Sequence, residues 1–123
     1  MVAHHYVNAL ELARAAGQDD GELADRARAA LRDAGDRAMT LNALAQAESY
    51  FRTALELGSP DDPERPALLL RCGRAMYLRG EEGAAELTEA RTGLLAAGEH
   101  EAAADAVLML ADIAWKEGRR DEM

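Results

Sequence analysis

Leu69-Leu70-Arg71-Cys72-Gly73-Arg74-Ala75-Met76-Tyr77-Leu78-Arg79-Gly80 carries the pattern that decides the fold of this chain. Leu69, Cys72, Gly73 and Met76 fall on one face of an α-helix, and Gly80 marks where that helix stops. Moved back by 38 residues the stretch falls on Leu31, Ala34, Gly35, Ala38 and Asn42; moved forward by 38 it falls on Val107, Leu110, Ala111, Ala114 and Gly118. Most columns keep a size class: large apolar, small or turn-former. Leu31, Leu69 and Val107 are therefore expected at equivalent positions of successive helices. Gly35, which by local signals could end a helix, belongs inside one as a small contact residue.

Outward from this stretch the chain reads as helical throughout. One isoleucine, three valines and no alternating run of β-branched or aromatic residues leave little material for strands. Breaks near Gly17, Asn42, Gly58, Gly80, Gly98 and Gly118 predict six helices at about 3–16, 21–41, 43–57, 63–79, 82–97 and 100–117. Short connections imply that consecutive helices run antiparallel. In the connector Ser59-Pro60-Asp61-Asp62-Pro63-Glu64-Arg65-Pro66, Asp62 is expected to cap the fourth helix, with Pro63 as its first residue. The acidic pairs Asp19-Asp20, Asp61-Asp62 and Glu81-Glu82 all fall at predicted helix starts, where the helix dipole favours them.

The interval of 38 also pairs Tyr6 with Leu44, Ala9 with Ala47, Ala13 with Phe51 and Ala16 with Ala54. Helices of two kinds thus alternate. Leu69, Cys72, Gly73, Met76 and Gly80, followed in the second kind by Ala47, Phe51 and Ala54 with Pro60 beyond, resemble the tetratricopeptide repeat, a helix pair of about 34 residues. The resemblance covers nearly the whole chain and implies an all-α fold, a right-handed superhelix of antiparallel helix pairs. The spacing of 38 departs from the motif. Glu89 and Thr92 fall where an aromatic and a small residue belong, so the apolar face of that helix is read with a slip, through Ala84, Leu87, Ala90 and Leu94. Counted by the repeat, the chain runs as a second helix, two full pairs and a lone first helix. Arg119 to Met123 would open a further helix, and Val107, Leu108, Leu110, Ile113 and Trp115 would lack a covering neighbour. The expectation is a single helical repeat domain cut from a longer protein, with exposed end helices that pair into a homodimer.

Composition narrows the function. Alanine occurs 28 times and aromatic residues make up 4%, so the core must be built from small side chains. Twenty-three acids against 14 bases give a net charge of −9, which argues against nucleic acid as a partner. No apolar run approaches the ~18 residues of a membrane span, so no membrane partner is expected. The single cysteine, Cys72, excludes an internal disulfide framework and predicts a cytoplasmic setting.

Catalytic chemistry finds no foothold. The only lysine, Lys116, precedes Glu117, so there is no phosphate-binding Gly-Lys-Ser/Thr loop. Ser49 and Ser59 lack a nucleophile elbow, and Cys72 sits in an apolar column as a small buried hydrophobe. Adjacent His4 and His5 point about 100° apart on a helix and cannot share an ion. No enzyme activity, cofactor or metal is expected.

A protein-binding surface is the stronger expectation. The resemblance implies that the first helices of successive pairs line a groove. Outward residues in this register are Arg32, Asp36 and Met39, then Leu70, Arg74 and Tyr77, then Leu108, Asp112, Trp115 and Lys116. Tyr77 and Trp115, flanked by Arg74 and Lys116, suit a peptide or helix with acidic and apolar residues. The competing expectation is a sensor that holds a small molecule between helices near Tyr77 and Trp115. Ala3-His4-His5-Tyr6 and Ala34-Gly35-Asp36-Arg37-Ala38 are similar to repeat regions trailing the ATPase cores of large bacterial signalling proteins, cyclase-fused or LuxR-type regulators. That similarity implies a scaffold contacting a partner protein or neighbouring domains of the parent chain.

Overall fold

The computed structural model describes residues 2–17 and 21–122, and these form six α-helices with no strand among them. The helices are α1 Val2–Ala15, α2 Gly21–Thr40, α3 Leu44–Leu57, α4 Arg65–Leu78, α5 Ala84–Ala96 and α6 His100–Glu122. Asn42, Gly80 and Gly98 stop α2, α4 and α5 in the left-handed conformation, at φ 60°, 85° and 77°. Each closure is completed by a six-residue backbone hydrogen bond: Ala43 N–H to Ala38 O (2.8 Å), Glu81 N–H to Met76 O (2.9 Å) and Glu99 N–H to Leu94 O (2.9 Å).

Two local expectations are corrected. Gly118 does not end a helix: it is absent from the left-handed positions, and α6 continues through Arg119 to Glu122. The tail therefore extends α6 instead of opening a new helix, while Met123 and the Asp19-Asp20 pair lie outside the described residues. Asp62 does not cap α4. Its carboxylate is engaged by the Arg28 guanidinium of α2, which also holds Asp25. Deprived of that cap, α4 begins two residues late at Arg65, with Pro66 in its first turn, where the absent N–H costs no intrahelical bond.

Contacts divide the chain into two compact units, Met1–Asp62 and Pro63–Met123. In the first, α2 packs against both α1 and α3. Leu10 and Ala13 of α1, Ala27, Leu31, Ala34 and Ala38 of α2, and Ala47, Phe51 and Ala54 of α3 are buried. Gly35 lies inside α2, and a methyl group there would collide with the Phe51 ring. In the second unit α5 packs against α4 and α6, which also touch each other. Gly73 takes the equivalent role, since a Cβ on it would meet Leu87 Cγ at 2.7 Å. Further along the same pair, Gly93 faces Pro66, so α4 and α5 run antiparallel.

The slip read in the fifth helix has a simple origin. The α4–α5 connection, residues 79–83, is two residues longer than the α2–α3 connection, residues 41–43. Leu87, however, is the fourth residue of α5, whereas Phe51 is the eighth of α3, one helical turn deeper. Second helices therefore return after 36 residues, matching Gly83, Leu87 and Ala90 to Ala47, Phe51 and Ala54. All six are buried. Glu89, left on the flank, accepts from Arg65 Nε at 2.6 Å and from its Nη2 at 3.3 Å.

The third first-kind helix breaks the equivalence. Leu31 and Leu69 are buried, but Val107 is 45% exposed, because no second helix covers that side of α6 among the described residues. Leu69→Ala is accordingly expected to cost about 2–5 kcal/mol in urea unfolding, while Val107→Ala changes stability by no more than about 0.5 kcal/mol. Alanine at two helical glycines should act with opposite signs. Gly35→Ala is expected to lose roughly 1–3 kcal/mol to overpacking despite its better helix propensity, and Gly118→Ala, with nothing within 4 Å, to gain about 0.5–1 kcal/mol. Equal effects at both glycines would contradict the close approach at Phe51.

Candidate interaction surface

The expected groove residues divide between the two units. Arg32, Asp36 and Met39 stand on α2, and the other seven, Leu70, Arg74, Tyr77, Leu108, Asp112, Trp115 and Lys116, stand on α4 and α6. Arg32 is half-buried, with Nη2 3.5 Å from Asp33 Oδ1, and the exposed Asp36 lends its backbone carbonyl to the Thr40 hydroxyl at 3.1 Å.

In the second unit the α4 residues do not face open solvent as expected. Leu70 is only 7% exposed, and Arg74 and Tyr77 are half-buried. The reason is α6, which packs against the side of α4 that the register assigned to a groove. Tyr77 donates its hydroxyl to Asp112 Oδ2 at 2.5 Å, and Lys116 Nζ donates to the same oxygen at 2.9 Å. The Lys116 ammonium also lies 5.4 Å from the Tyr77 ring centroid, within cation–π range. One turn earlier, Arg74 Nη2 reaches Asp105 Oδ2 at 3.3 Å. These side chains join the two helices together.

What remains open is α6. Ala103, Ala106 and Ile113 turn toward the core, three and then seven residues apart along one face. On the opposite side Leu108 is 69% and Trp115 59% exposed, beside Val107 and the exposed Ala111 and Ala114. The Arg119 guanidinium lies 4.9 Å from the Trp115 ring centroid. The face is thus apolar along its centre, with an aromatic anchor and a cation at one end. Contiguous exposed apolar side chains of this kind mark contact surfaces. Asp105, Ala111 and Arg119 were not among the expected site residues, although the interval of 38 sets Ala111 opposite Gly73 and so signals a helix-accepting position.

A recess beside Tyr77, lined by Gly80, Glu81, Glu82, Ile113 and Lys116, has a volume of about 60 Å³, well below the ~300 Å³ at which ligand pockets begin. Trp115 does not line it. Among the described residues no group of three or more histidine, cysteine, aspartate or glutamate side chains could hold a metal ion. None of the described helices is long and apolar enough to cross a membrane. No family model matches the chain, and no match is found among curated proteins or solved structures.

The shared carboxylate sets the electrostatics. Hydrogen bonds from Tyr77 and then Lys116 hold Asp112 below the usual aspartate value of 3.8, and its acceptance of the phenol proton raises Tyr77 above 10.0. The contribution of Asp112 to stability is complete above its unfolded value and lost only as pH falls through its lowered one. That of Tyr77 is complete below 10 and lost as pH rises through its raised value. The tie therefore holds across neutral pH. With Tyr6 and Tyr50 replaced by phenylalanine, ultraviolet titration of Tyr77 should give a midpoint above 10.0, and Asp112→Asn should return it toward that value. An unmoved midpoint would show that the phenol is not donating to Asp112.

Proposed function

We propose that this chain is a non-catalytic helical-repeat scaffold of tetratricopeptide type, which makes protein contacts within or between chains of a cytoplasmic bacterial signalling or regulatory protein. The observation that carries the reading is the open apolar face of α6, with Leu108 and Trp115 more than half exposed in a chain otherwise rich in surface charge. Two internal precedents support it. Gly35 receives Phe51, and Gly73 receives Leu87, at the positions that Ala111 repeats on α6. A face built like these accepts an amphipathic helix, with a large apolar side chain entering beside a small residue. The Arg119 guanidinium at Trp115 adds a preference for an acidic neighbour at that end.

Trp115 is the only tryptophan and reports on this face directly. At sub-micromolar protein, a peptide of residues 84–96 constrained as a helix should shift its emission to shorter wavelength in a saturable manner. The same peptide with Leu87→Glu should leave it unchanged. Quenching by members of a metabolite panel, with no response to apolar helical peptides, would count against the scaffold and for a small-molecule sensor.

A further inference from the structure

We propose that two copies of this chain pair through their α6 helices, side by side and antiparallel, about a two-fold axis near residue 112. The proposal rests on the scaffold reading and names the occupant of the open α6 face: the same face of a second copy. Ala104, Leu108, Ala111, Trp115 and Gly118 are all exposed there, and they follow one another at intervals of four, three, four and three residues. That is the 3.5-residue spacing of a seam along which two helices lie side by side.

The seam alternates in size. Ala104, Ala111 and Gly118 are small and recur every seven residues, and between them stand Leu108 and Trp115, both more than half exposed. A Cβ on Gly118 would meet nothing within 4 Å, so space is free at that end. Turned about an axis near residue 112, the seam fits itself. Trp115 of each copy lies beside Ala111 of the other, and Leu108 of each beside Gly118 of the other. Large side chains thus meet small ones, the condition under which facing helices interdigitate.

Charge selects a second copy and its direction. Asp105, Asp112 and Arg119, seven residues apart, line one edge of the seam, and the uncharged Val107 and Ala114 line the other. When two such helices run antiparallel, each edge faces the same edge of its partner. Asp105 of each copy then faces Arg119 of the other, which gives two ion pairs related by the axis. Asp112, nearest the axis, already has its charge balanced within its own chain by Lys116 Nζ at 2.9 Å and accepts from the Tyr77 hydroxyl. A parallel pair would set the charged edge against Val107 and Ala114 and form no ion pair. Two chains of net charge −9 repel over most other surfaces. Because both copies use the same face, association stops at two.

Light scattering and Trp115 emission, recorded together from low to high micromolar protein, test this. The mass should rise to twice that of the monomer and no further, with emission moving to shorter wavelength over the same range. Ala111→Arg, at an exposed position in the middle of the seam, should remain monomeric with unchanged helix content by circular dichroism. Asp105→Arg and Arg119→Asp should each weaken pairing roughly tenfold at low salt. An equimolar mixture of those two variants should regain the wild-type affinity, because both cross-axis contacts of the mixed pair again join opposite charges. A wild-type monomer throughout overturns the proposal and leaves the scaffold reading standing if the helical peptide still shifts Trp115. Assembly beyond two copies, a dimer with unchanged emission, or a mixture no tighter than its components would also overturn it, by placing the contact elsewhere or in another direction.

Discussion

Two close approaches organise this molecule: Gly35 under the Phe51 ring and Gly73 under Leu87. A glycine inside a helix costs about 1 kcal/mol relative to alanine. The cost is offset because each glycine lets a neighbouring helix come near enough for one large side chain to be wholly enclosed. In a chain with a single phenylalanine and 28 alanines, no thicker core is available. The spacing of the helices within each pair, and with it the direction in which every other face points, follows from those two contacts.

The surface of α6 is understandable in the same terms. Its core side meets α5 and α4 through small and medium residues, and Tyr77, Arg74, Asp105 and Asp112 fasten the edge. Its other side repeats a helix-accepting pattern with alanine where the earlier copies have glycine. Among the described residues no helix lies on that side, and its shape follows from the same geometry that closes the interior elsewhere. No specialised chemistry is required of it.

Much of this was legible in the residues. Helix number and order followed from the breaks at residues such as Asn42 and Gly80, and the interior placement of Gly35 from the period of 38, because burial, turn geometry and small-residue contacts act locally and recur. The slip at Leu87 was visible, but its cause, a longer connection combined with contact one turn earlier, needed the helix limits. What the period could not supply was occupancy. It assigns each residue a side, not the presence of a neighbour on that side, so Leu70 was expected open and is only 7% exposed. Competition was the other blind spot. Asp62 has the right type and position to cap α4, and only the fold brings Arg28 near enough to claim it.

The Arg28–Asp62 pairing limits how the chain can vary in length. Both side chains are largely enclosed, and removing one partner of such a pair leaves a charge stranded out of water. The loop from Gly58 to Asp62 is therefore a measured span between the end of α3 and a fixed anchor on α2. Residues added or lost within it would have to preserve that reach. Immediately after Asp62 the backbone is an exposed turn at Pro63 and carries no such obligation, so insertions between the two compact units are best accommodated there.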